Sequence, residues 1–498
     1  MEILSRDNCR KIDYETINKV GIPSIVLMEN AANEIVNIIK NIGNKIIVFC
    51  GVGNNGGDGL AIARKLYLLG KDVEVILIGD INKLTNDCNL NLQIVRNLNK
   101  PVTNINDEFS KTYIIEKIIS SDYIVDSIFG IGLNRDVSGI YKDIIEIINE
   151  FSKFIVAVDI PSGMDANTGK KLNVAVKANI TCTVEVMKKG FMATKAIDLT
   201  GDIKIINIGI PNYIKEQNSE KIYILSKEKY KRIIPIRGKT GHKGNYGKVL
   251  IVAGSEKYYG AAFITTEACV RTGSGLVTLL THKEAASALK SRLIEAMIQE
   301  YSSYEDIKTL ENFDVIACGP GLDKSENSKA ILKKIIEETN CNLVLDADAL
   351  NIISENKDLI SGLKGRTVIT PHPGEMARLV GKSVAEVEED RICIAKKFAK
   401  ENDIIVLLKG YNTVITDGEN VFINRTGNSK MASGGMGDCL TGIIASFIGQ
   451  KNNIIEATLL GAYVHGYIGD ELSKSNYIVN ARDIIDYLPK TIEKLCEN

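Results

Sequence analysis

Short apolar runs rich in β-branched residues alternate with longer segments of helical periodicity along the whole chain. This alternation is typical of α/β proteins, in which helices cover a mostly parallel sheet. A hairpin is also predicted across residues 414–423, because Asp417 and Gly418 favour a tight turn between two apolar runs. The other apolar runs predict strands at residues 45–50, 73–78, 123–125, 154–158, 180–184 and 203–208, and again at 249–253, 276–280, 314–318, 343–346, 367–369 and 404–408.

The periodicity weakens once, directly after Pro211. Residues 212–231 are charged and weakly periodic, and a basic, glycine-rich stretch begins at Arg237 before the strand pattern resumes. A chain of 498 residues is expected to hold two or three domains of about 150 residues each. We therefore expect two α/β domains, at residues 1–216 and 222–498.

Composition narrows the class of protein. The net charge is −1 without blocks of like charge, so a nucleic-acid or membrane surface is not expected. No uncharged apolar run approaches the ~18 residues that span a bilayer, and the amino terminus lacks the apolar segment of a signal peptide. The ten cysteines form no C-x-x-C pair, and Cys50, Cys182 and Cys318 lie in apolar runs, which indicates buried thiols in a reducing cytoplasm. The four histidines form no metal-binding spacing, so zinc is not expected.

One loop in the second half has the composition of a phosphoryl-transfer site. Gly434, Gly435 and Gly437 lead into Asp438, and the apolar segment 440–448 follows at once. Glycine amides and the positive end of a helix dipole together make an anion hole. An aspartate there would repel a resting phosphate, but it suits a base that faces a hydroxyl attacking phosphorus. The alternative is a glycine-rich turn that only caps a core helix.

Three strand ends in the first half combine glycines with polar side chains. Residues 51–59 follow a strand and open a helix predicted at 60–69, which is the geometry that places pyrophosphate on a helix N-terminus. Residues 126–136 and 159–165 follow two other strands. The oxygens of Asn55, Asp126 and Ser162 suit a hard monovalent or divalent cation. Alternatively, each acid is an exposed turn former or helix cap.

Other strand ends in the second half also have chemistry-bearing side chains. Lys409 and Thr413 beside a glycine suit adenine-nucleotide phosphates. His372, between two prolines, is either a substrate contact or a packed loop histidine. Asp346 and Asp348 either help to place Mg²⁺ or are solvated turn acids.

The motifs of the first half, in order, resemble the YjeF amino-terminal domain, the NAD(P)H-hydrate epimerase. They are GIPSIVLMENAA at 21–32, then GNNGGDG, DSIFGIGLNR and VDIPSGMDANTG. The resemblance implies a Rossmann-like three-layer α/β/α sandwich, with Asp159 as the acid/base and K⁺ on Asn55, Asp126 and Ser162. Asp136 departs from the family, which often has proline or a neutral residue there. The substrate contacts that the resemblance implies are Asn54, Asn55, Gly56, Gly57, Asp58, Gly130, Ile131, Gly132, Leu133, Asn134, Arg135, Asp136, Tyr141 and Asp159.

The second half resembles the ADP-dependent NAD(P)H-hydrate dehydratase, a ribokinase-like α/β domain. The motifs are KVLIVAGS, GPGL, TPHPGE and MASGGMGD, with Ser433 where threonine is usual and Cys439 where valine is usual. The implied catalytic residue is Asp438, with Mg²⁺ and ADP as cofactor and co-substrate. The implied contacts with the hydrate are Ala262, Gly321, His372, Pro373, Gly374, Glu375, Met376, Ala377, Arg378 and Asp438. Those with ADP are Lys409, Gly410, Tyr411, Asn412, Thr413, Asn428, Ser429, Lys430, Met431, Ala432, Ser433, Gly434, Gly435, Met436 and Gly437.

The two resemblances together imply repair of hydrated NADH and NADPH. The first domain would interconvert the two C6 epimers of the hydrate, NADHX or NADPHX, and the second would dehydrate one of them while ADP becomes AMP and phosphate. We expect a cytoplasmic homo-oligomer that binds these small molecules and neither nucleic acid nor membrane. The alternatives are a small-alcohol or vitamin kinase with an accessory domain, a scaffold that has lost its chemistry, and an ordinary nicotinamide dehydrogenase.

Overall fold

The computed structural model describes residues 1–106 and 109–497, and the chain divides into two compact units. Unit 1 is Met1–Ile222 and unit 2 is Tyr223–Asn498. Asn498, the last residue of the second predicted domain, lies outside the described residues.

Unit 1 contains a seven-stranded sheet in which every neighbouring pair of strands is parallel. The spatial order β4-β3-β2-β5-β6-β7-β9 reverses its direction between β2 and β5. A separate pair, β1 and β8, joins Leu4 to Lys188 in parallel register. The strands are β1 (Ile3–Leu4), β2 (Lys45–Cys50), β3 (Asp72–Ile78), β4 (Val102–Ile105), β5 (Tyr123–Ser127), β6 (Ile155–Val158), β7 (Ile180–Val184), β8 (Met187–Lys188) and β9 (Asp202–Ile206).

Helices cover both faces of this sheet, because its central strands, such as β2 and β6, are buried on both sides. One apolar core packs under α2, α3 and α4, and the other under α5 and α6. The result is the three-layer α/β/α sandwich that was predicted. The helices are α1 (Arg6–Glu15), α2 (Ser24–Ile39), α3 (Asn54–Leu68), α4 (Asn86–Asn97), α5 (Lys111–Ser120), α6 (Gly139–Phe151), α7 (Ile197–Thr200) and α8 (Asn212–Gln217).

The sheet that belongs to unit 2 has ten strands in the order β10-β19-β18-β17-β16-β15-β14-β11-β12-β13. The run from β17 to β13 is parallel, and β17, β18 and β19 pair antiparallel. The strands are β10 (Ile222–Tyr223, at the boundary), β11 (Lys248–Val252), β12 (Leu276–His282), β13 (Met297–Tyr301), β14 (Val315–Cys318), β15 (Asn342–Leu345), β16 (Thr367–Ile369), β17 (Ile405–Leu408), β18 (Thr413–Thr416) and β19 (Val421–Asn424).

One helix of unit 2, α17, is apolar almost all round and lies inside the core between α10, α18 and the sheet. A Cβ on Gly442 would overlap the carbonyl of Thr265, so this glycine lets α10 and α17 approach closely. The helices are α9 (Lys227–Arg232), α10 (Tyr259–Thr272), α11 (Lys283–Leu289), α12 (Glu326–Glu338), α13 (Asp348–Glu355), α14 (Pro373–Val380), α15 (Val384–Glu389), α16 (Arg391–Asn402), α17 (Met436–Gly449), α18 (Ile454–Ser473) and α19 (Ala481–Glu497).

The predicted α/β class is confirmed, and each predicted strand is present with ends shifted by at most a few residues. The hairpin forms as β18 and β19. The helix predicted at 60–69 is present, but its predicted start was wrong, because α3 already begins at Asn54. The first turns of α3 contain glycines because the neighbouring chain lies too close for a side chain. A Cβ on Gly56 would overlap the carbonyl of Gly51, and a Cβ on Gly59 would lie 2.6 Å from the hydroxyl oxygen of Ser127.

Among the helices described, none is long and apolar enough to cross a bilayer. Cys50, Cys182 and Cys318 are buried free thiols, as their apolar surroundings predicted.

Candidate functional sites

The candidate site of unit 1 lies where the strand order reverses, at the carboxyl ends of β2, β5 and β6. Ligands of open α/β sheets bind at such switch points. The loop after β2, the loop after β5 and the loop after β6 meet here because β5 lies between the other two strands. The hydroxyl of Ser127 donates to the carbonyl oxygen of Asn55, which ties the start of α3 to the end of β5.

Asp126 and Ser162 form a buried polar pair beside Asn55. The hydroxyl of Ser162 donates to Asp126 Oδ1 at 2.6 Å, and its backbone N–H donates to Oδ2 at 2.8 Å. Burial raises the pKa of the Asp126 carboxyl to about 6, against the lowering effect of its hydrogen bonds. Within the described residues no cationic side chain pairs with Asp126, and the amide nitrogen of Asn55 has no hydrogen-bond partner.

This set of groups fits a monovalent cation. It combines an uncompensated buried carboxylate, a hydroxyl and an amide whose oxygen and nitrogen can be exchanged by rotation. Of the three predicted ligands, Asp126 and Ser162 are in direct contact, and the backbone of Asn55 is bonded to Ser127, the residue after Asp126. Their chemistry suits a hard ion that prefers oxygen.

Asp159 follows β6 and has a backbone φ of 65°, in the left-handed region that residues other than glycine rarely adopt. Its Oδ1 lies 2.6 Å from Nζ of Lys188 and accepts the N–H of Val184 at 3.1 Å. Lys188 is fully buried and also donates to the carbonyl of Val184 at 2.8 Å. Burial alone would lower the pKa of Lys188, but the nearby Asp159 raises it, so the ammonium form is retained.

Two more carboxyl groups face the same cavity. Asp13 on α1 and Asp58 on α3 line it together with Asp159 and Lys188, and the cavity volume is about 710 Å³. Burial raises the pKa of Asp13 to about 7, and Asp159 adds to this while Lys188 opposes it. Burial also raises the pKa of Asp58 well above its usual range.

Most of the predicted substrate contacts of unit 1 line this cavity: Asn54, Asn55, Asp58, Gly130, Ile131, Gly132, Leu133, Asn134, Arg135, Tyr141 and Asp159. Gly56 and Gly57 instead pack against Gly51 and Met28, and Asp136 is exposed outside the wall. Sequence reasoning missed Lys188 and Asp13. Asp13 follows Cys9 by one helical turn, so an acid on the apolar face of α1 was a signal that could have been used.

In unit 2, Asp438 is the third residue of α17, whose first-turn N–H groups have no partners within the helix. The helix begins after Gly435, which adopts a φ of 88° and serves as its N-cap. Burial raises the pKa of Asp438 to about 6, with Asp346 and Asp348 adding to the effect and Lys409 opposing it. The predicted glycine loop, helix start and acid therefore occur together.

Asp346 ends β15 and joins Lys409 to α17. Its Oδ1 accepts from Nζ of Lys409 at 2.7 Å, and its Oδ2 accepts from the hydroxyl of Thr441 at 2.8 Å. The Asp346 side chain is 1% exposed and that of Lys409 is 21% exposed, so the ion pair is largely shielded from solvent. The next residue, Ala347, has a φ of 49°, an unfavourable conformation for a residue with a Cβ.

A cavity of about 650 Å³ opens beside Asp438. Carboxylates of Asp323 and Asp348 line it, as do the cations Lys257 and Lys324 at its wall. The backbone N–H of Asp323 donates to Asp348 Oδ2 at 2.9 Å, which fixes the two loops to each other. Of the predicted hydrate contacts, Gly321 and Asp438 line this cavity, and Ala262 is completely buried behind its neighbour Ala261.

The predicted contacts from His372 to Arg378 form the beginning of α14. His372 caps this helix, accepting the N–H of Gly374 at 3.0 Å, while the carboxylate of Glu375 accepts the N–H of His372 at 2.8 Å. Burial raises the pKa of Glu375 to about 7, against the nearby Lys409. Pro373 and Gly374 lie in the first turn, Met376 and Ala377 are buried, and Arg378 donates to Asn351 at 3.1 Å.

The predicted ADP contacts lie in two loops. In the first, residues Lys409, Gly410, Tyr411 and Asn412 join β17 to β18. Thr413 begins β18, and its hydroxyl donates to the carbonyl of Gly410 at 2.9 Å. In the second, Asn428 donates to Asp470 at 2.7 Å. The Lys430 ammonium donates to the carbonyl of Ser473 at 2.6 Å. This second loop continues through Ser429, Met431, Ala432, Ser433, Gly434, Gly435, Met436 and Gly437 to the start of α17.

His465 on α18 is a further residue that the sequence did not reveal. Burial, with Lys409 adding to the effect, lowers its pKa to about 4, and a hydrogen bond with the backbone of Met436 opposes this. His465 is therefore a neutral imidazole that contacts the backbone of Met436, the first residue of α17.

Each unit thus places buried carboxylates and a helix N-terminus at the switch point of its own sheet, which defines a two-site α/β enzyme of the kind that binds phosphorylated ligands. Residues 24–190 match the model of the YjeF-related protein N-terminus, and residues 249–490 match that of NAD(P)H-hydrate dehydratase. The bifunctional NAD(P)H-hydrate repair enzyme of Moorella thermoacetica is 35% identical over 100% of this chain and 98% of its own. The Escherichia coli repair enzyme is 34% identical over 94% of this chain and 89% of its own.

Among solved structures, a ribokinase-like superfamily protein of Enterococcus faecalis matches 56% of this chain and 98% of its own, with 31% identity and a TM-score of 0.52. This confirms the ribokinase-like fold of the second unit. The chain belongs to the family of bifunctional NAD(P)H-hydrate repair enzymes.

Proposed function

We propose that unit 2 dehydrates the S epimer of hydrated NADH or NADPH and uses ADP to do so, while unit 1 interconverts the R and S epimers. The observation that supports the first activity is Asp438, a half-buried carboxyl at the amino end of α17 and beside a cavity of about 650 Å³. Hydroxide is a poor leaving group, so removal of the C6 hydroxyl requires a step that activates it.

Asp438 supplies the base for that activation. As its carboxylate takes the proton of the C6 hydroxyl, the oxygen attacks the β-phosphorus of ADP, the P–O bond to AMP breaks, and AMP leaves with that electron pair. The unpaired N–H groups at the start of α17 stabilise the negative charge that spreads over the phosphoryl oxygens. Phosphate then departs from C6 with the help of the ring nitrogen lone pair, and loss of a C5 proton restores the reduced nicotinamide.

Lys409 and Asp346 form an ion pair next to the first turn of α17. The Lys409 ammonium, fixed 2.7 Å from Asp346, places positive charge close to Gly437, where a Cβ would lie 3.1 Å from its Nζ. The other predicted nucleotide contacts, in the loops 409–413 and 428–437, are proposed to hold the adenine nucleotide.

The acids at the cavity fit Mg²⁺ that arrives with a nucleotide. In the part of the chain that is described, no three His, Cys, Asp or Glu side chains converge to enclose a metal ion by themselves. Mg²⁺ commonly uses one or two carboxylates together with substrate phosphates and water, and Asp323, Asp348 and Asp438 supply such oxygens. Bound there, Mg²⁺ would neutralise phosphate charge.

In unit 1, Asp159 is proposed to move the proton that opens and recloses the C6 centre. Its support is the ion pair with Lys188 at the wall of the 710 Å³ cavity. K⁺ would be held by Asn55, Asp126 and Ser162, where it would offset the buried carboxylate charge and order the three loops.

The test follows the near-ultraviolet absorbance of reduced nicotinamide after ADP and Mg²⁺ are added to mixed-epimer hydrated NADH. We expect a fast rise as the S epimer is dehydrated, then a slower rise as the R epimer is converted. Stable phosphorylation of an added alcohol, with no recovery of absorbance, would instead support the small-alcohol kinase.

A further inference from the structure

The cavity of unit 1 holds a carboxyl group to which the proposed reaction has not yet given a role. Asp13 faces the cavity that contains Asp159 and Lys188. Its neighbours on α1, Cys9 and Ile12, are buried in the core, so this turn of the helix is fixed against the sheet. Among the described residues, no side chain or backbone group forms a hydrogen bond or ion pair with the Asp13 carboxyl.

The position of α1 is fixed by contacts with the same loops that form the active site. The strand before it, β1, pairs with β8 so that Leu4 lies opposite Lys188. The guanidinium of Arg6 donates to Asp165 at 2.5 Å and to the carbonyl of Leu133 at 2.8 Å. Asp13 is therefore held in a defined place relative to Asp159 and is not a mobile surface acid.

We propose that Asp13 and Asp159 are the acid–base pair of epimerisation, with Lys188 as the positioning residue of Asp159. This inference depends on the proposed epimerase function of unit 1 and extends it. Oδ1 of Asp159 lies 2.6 Å from the Lys188 ammonium, whereas no cation is bonded to the Asp13 carboxyl among the described residues. A carboxylate bonded to an ammonium suits the base, and a carboxyl without a bonded cation suits the acid; different environments of two carboxyl groups are how such roles are separated.

The chemistry of the hydrate needs one group of each kind. Asp159 takes the proton of the C6 hydroxyl, and the O–H electron pair becomes the second bond of an aldehyde. The C6–N1 bond breaks, its electron pair goes to N1, and N1 takes the proton of Asp13. Rotation about the C5–C6 bond presents the other aldehyde face, and the reverse proton transfers close the ring as the opposite epimer. No further reactant is required, and the two epimers pass through the same open form.

Two neighbouring acids are less suited to this role. Glu185 accepts from the Lys215 ammonium at 2.6 Å and from the N–H of Ile208 at 2.9 Å, so its oxygens are already used. Asp58 lies on α3, and the charge of Lys188 acts on Asp13 and Asp159 but is not among the influences on the pKa of Asp58. Asp58 is better placed to bind the substrate than to exchange its proton.

The pH dependence gives a test that needs no variant. The titratable groups that face Asp13 are Lys188, Asp159, Glu185, Asp58 and Cys9. Burial raises the pKa of Asp13 to about 7, and a general acid works only while protonated, so kcat/KM for epimerisation should fall as pH rises through about 7. A rate that stays level from neutral into alkaline solution overturns the proposal.

The variants are measured in the full chain, with ADP and mixed-epimer hydrated NADH. The slow phase reports epimerisation, and the fast phase reports unit 2 and the amount of folded protein. We expect Asp13→Asn to lower kcat of the slow phase by about 10²–10⁴-fold with little change in KM, and to remove the alkaline limb. Asp13→Glu should restore part of the rate and the limb.

The comparison variants separate positioning from binding. Asp58→Asn should raise KM and keep the alkaline limb. Lys188→Met should lower kcat of the slow phase with little change in KM, and Lys188→Arg should restore part of kcat, a pattern that simple unfolding does not produce. If Asp58→Asn removes the alkaline limb, or Asp13→Asn leaves the slow phase unchanged, the pair is wrong and the epimerase function stands. If the wild-type chain shows no catalysed slow phase, the epimerase function itself fails.

Discussion

Lys409 and Asp346 form an ion pair of 2.7 Å inside unit 2, and Thr441 of α17 occupies the second carboxylate oxygen of Asp346 at 2.8 Å. Three elements, β15, the loop after β17 and α17, are thereby joined at the candidate nucleotide site. Burial and the neighbouring negative charges act in opposite directions here: burial disfavours the Lys409 ammonium, but Asp346 and Glu375 raise its pKa above the ordinary value.

We therefore expect Asp346→Asn to leave a buried cation without its partner. Breaking a buried pair from one side costs about 3–5 kcal/mol, so the free energy of unfolding of unit 2 should fall by that order. Dehydration should be lost and epimerisation retained. The measurement is denaturant unfolding together with the two-phase absorbance assay. Glu355→Gln, which breaks the exposed pair with Lys324, is the control and should change stability by less than about 0.5 kcal/mol.

The division of labour between the units predicts opposite effects of two matched substitutions. Asp438→Asn removes the base of unit 2, so the fast phase should slow by about 10²–10⁴-fold, while conversion between epimers, followed by chromatography, persists. Asp159→Asn should abolish the slow phase and leave the fast phase. Equal loss of both activities in either variant would contradict two independent sites.

The pH dependence of dehydration follows from the environment of Asp438. A base works in its ionised form, and burial raises the pKa of this carboxyl to about 6. The rate of the fast phase should therefore be full above that pH and fall as pH drops through about 6. The measurement is kcat/KM of purified S epimer across the acid range. A rate that is constant down to the ordinary aspartate range would show that another group is the base.

The sequence predicted the strand ends of both sites, because glycines and acids that follow buried β-branched runs are visible in the chain itself. It placed Asp126 and Asp159 at those ends and Asp438 at the start of a helix. It could not reveal Lys188, which becomes a site residue only because β1 pairs with β8 in three dimensions. Asp13 was missed for a related reason: its role depends on how α1 packs over a sheet whose strands are distant in sequence.

The start of α17 provides a matched pair of glycines. Gly435 has a φ of 88°, and a Cβ there would lie 2.6 Å from Cδ1 of Ile264, whereas Gly434 has open space around it and a backbone that other residues adopt. Gly435→Ala should lower the stability of unit 2 by about 1–3 kcal/mol and slow dehydration, since the N–H groups at the helix start would shift. Gly434→Ala should leave thermal unfolding nearly unchanged. Equal stability of the two variants would contradict this account.

Potassium provides a test of Asp126, Ser162 and Asn55. Because burial raises the pKa of Asp126 to about 6, the carboxyl is neutral below that pH and a buried, unneutralised charge above it. A cation that binds the folded state stabilises it by mass action, so K⁺ should raise the melting temperature of unit 1 relative to tetramethylammonium at equal ionic strength.

The sign of this effect is fixed by the direction of the pKa shift. An aspartate whose folded pKa lies above its unfolded value destabilises the fold once ionised, so the benefit from K⁺ should be absent below about pH 6 and grow as pH rises through it. Asp126→Asn removes the charge and keeps the shape of the side chain. This variant should show no rise in melting temperature with K⁺ at any pH. The fast phase of dehydration is the control and should not respond to this variant. A K⁺ effect that survives in Asp126→Asn would place the ion elsewhere in the molecule.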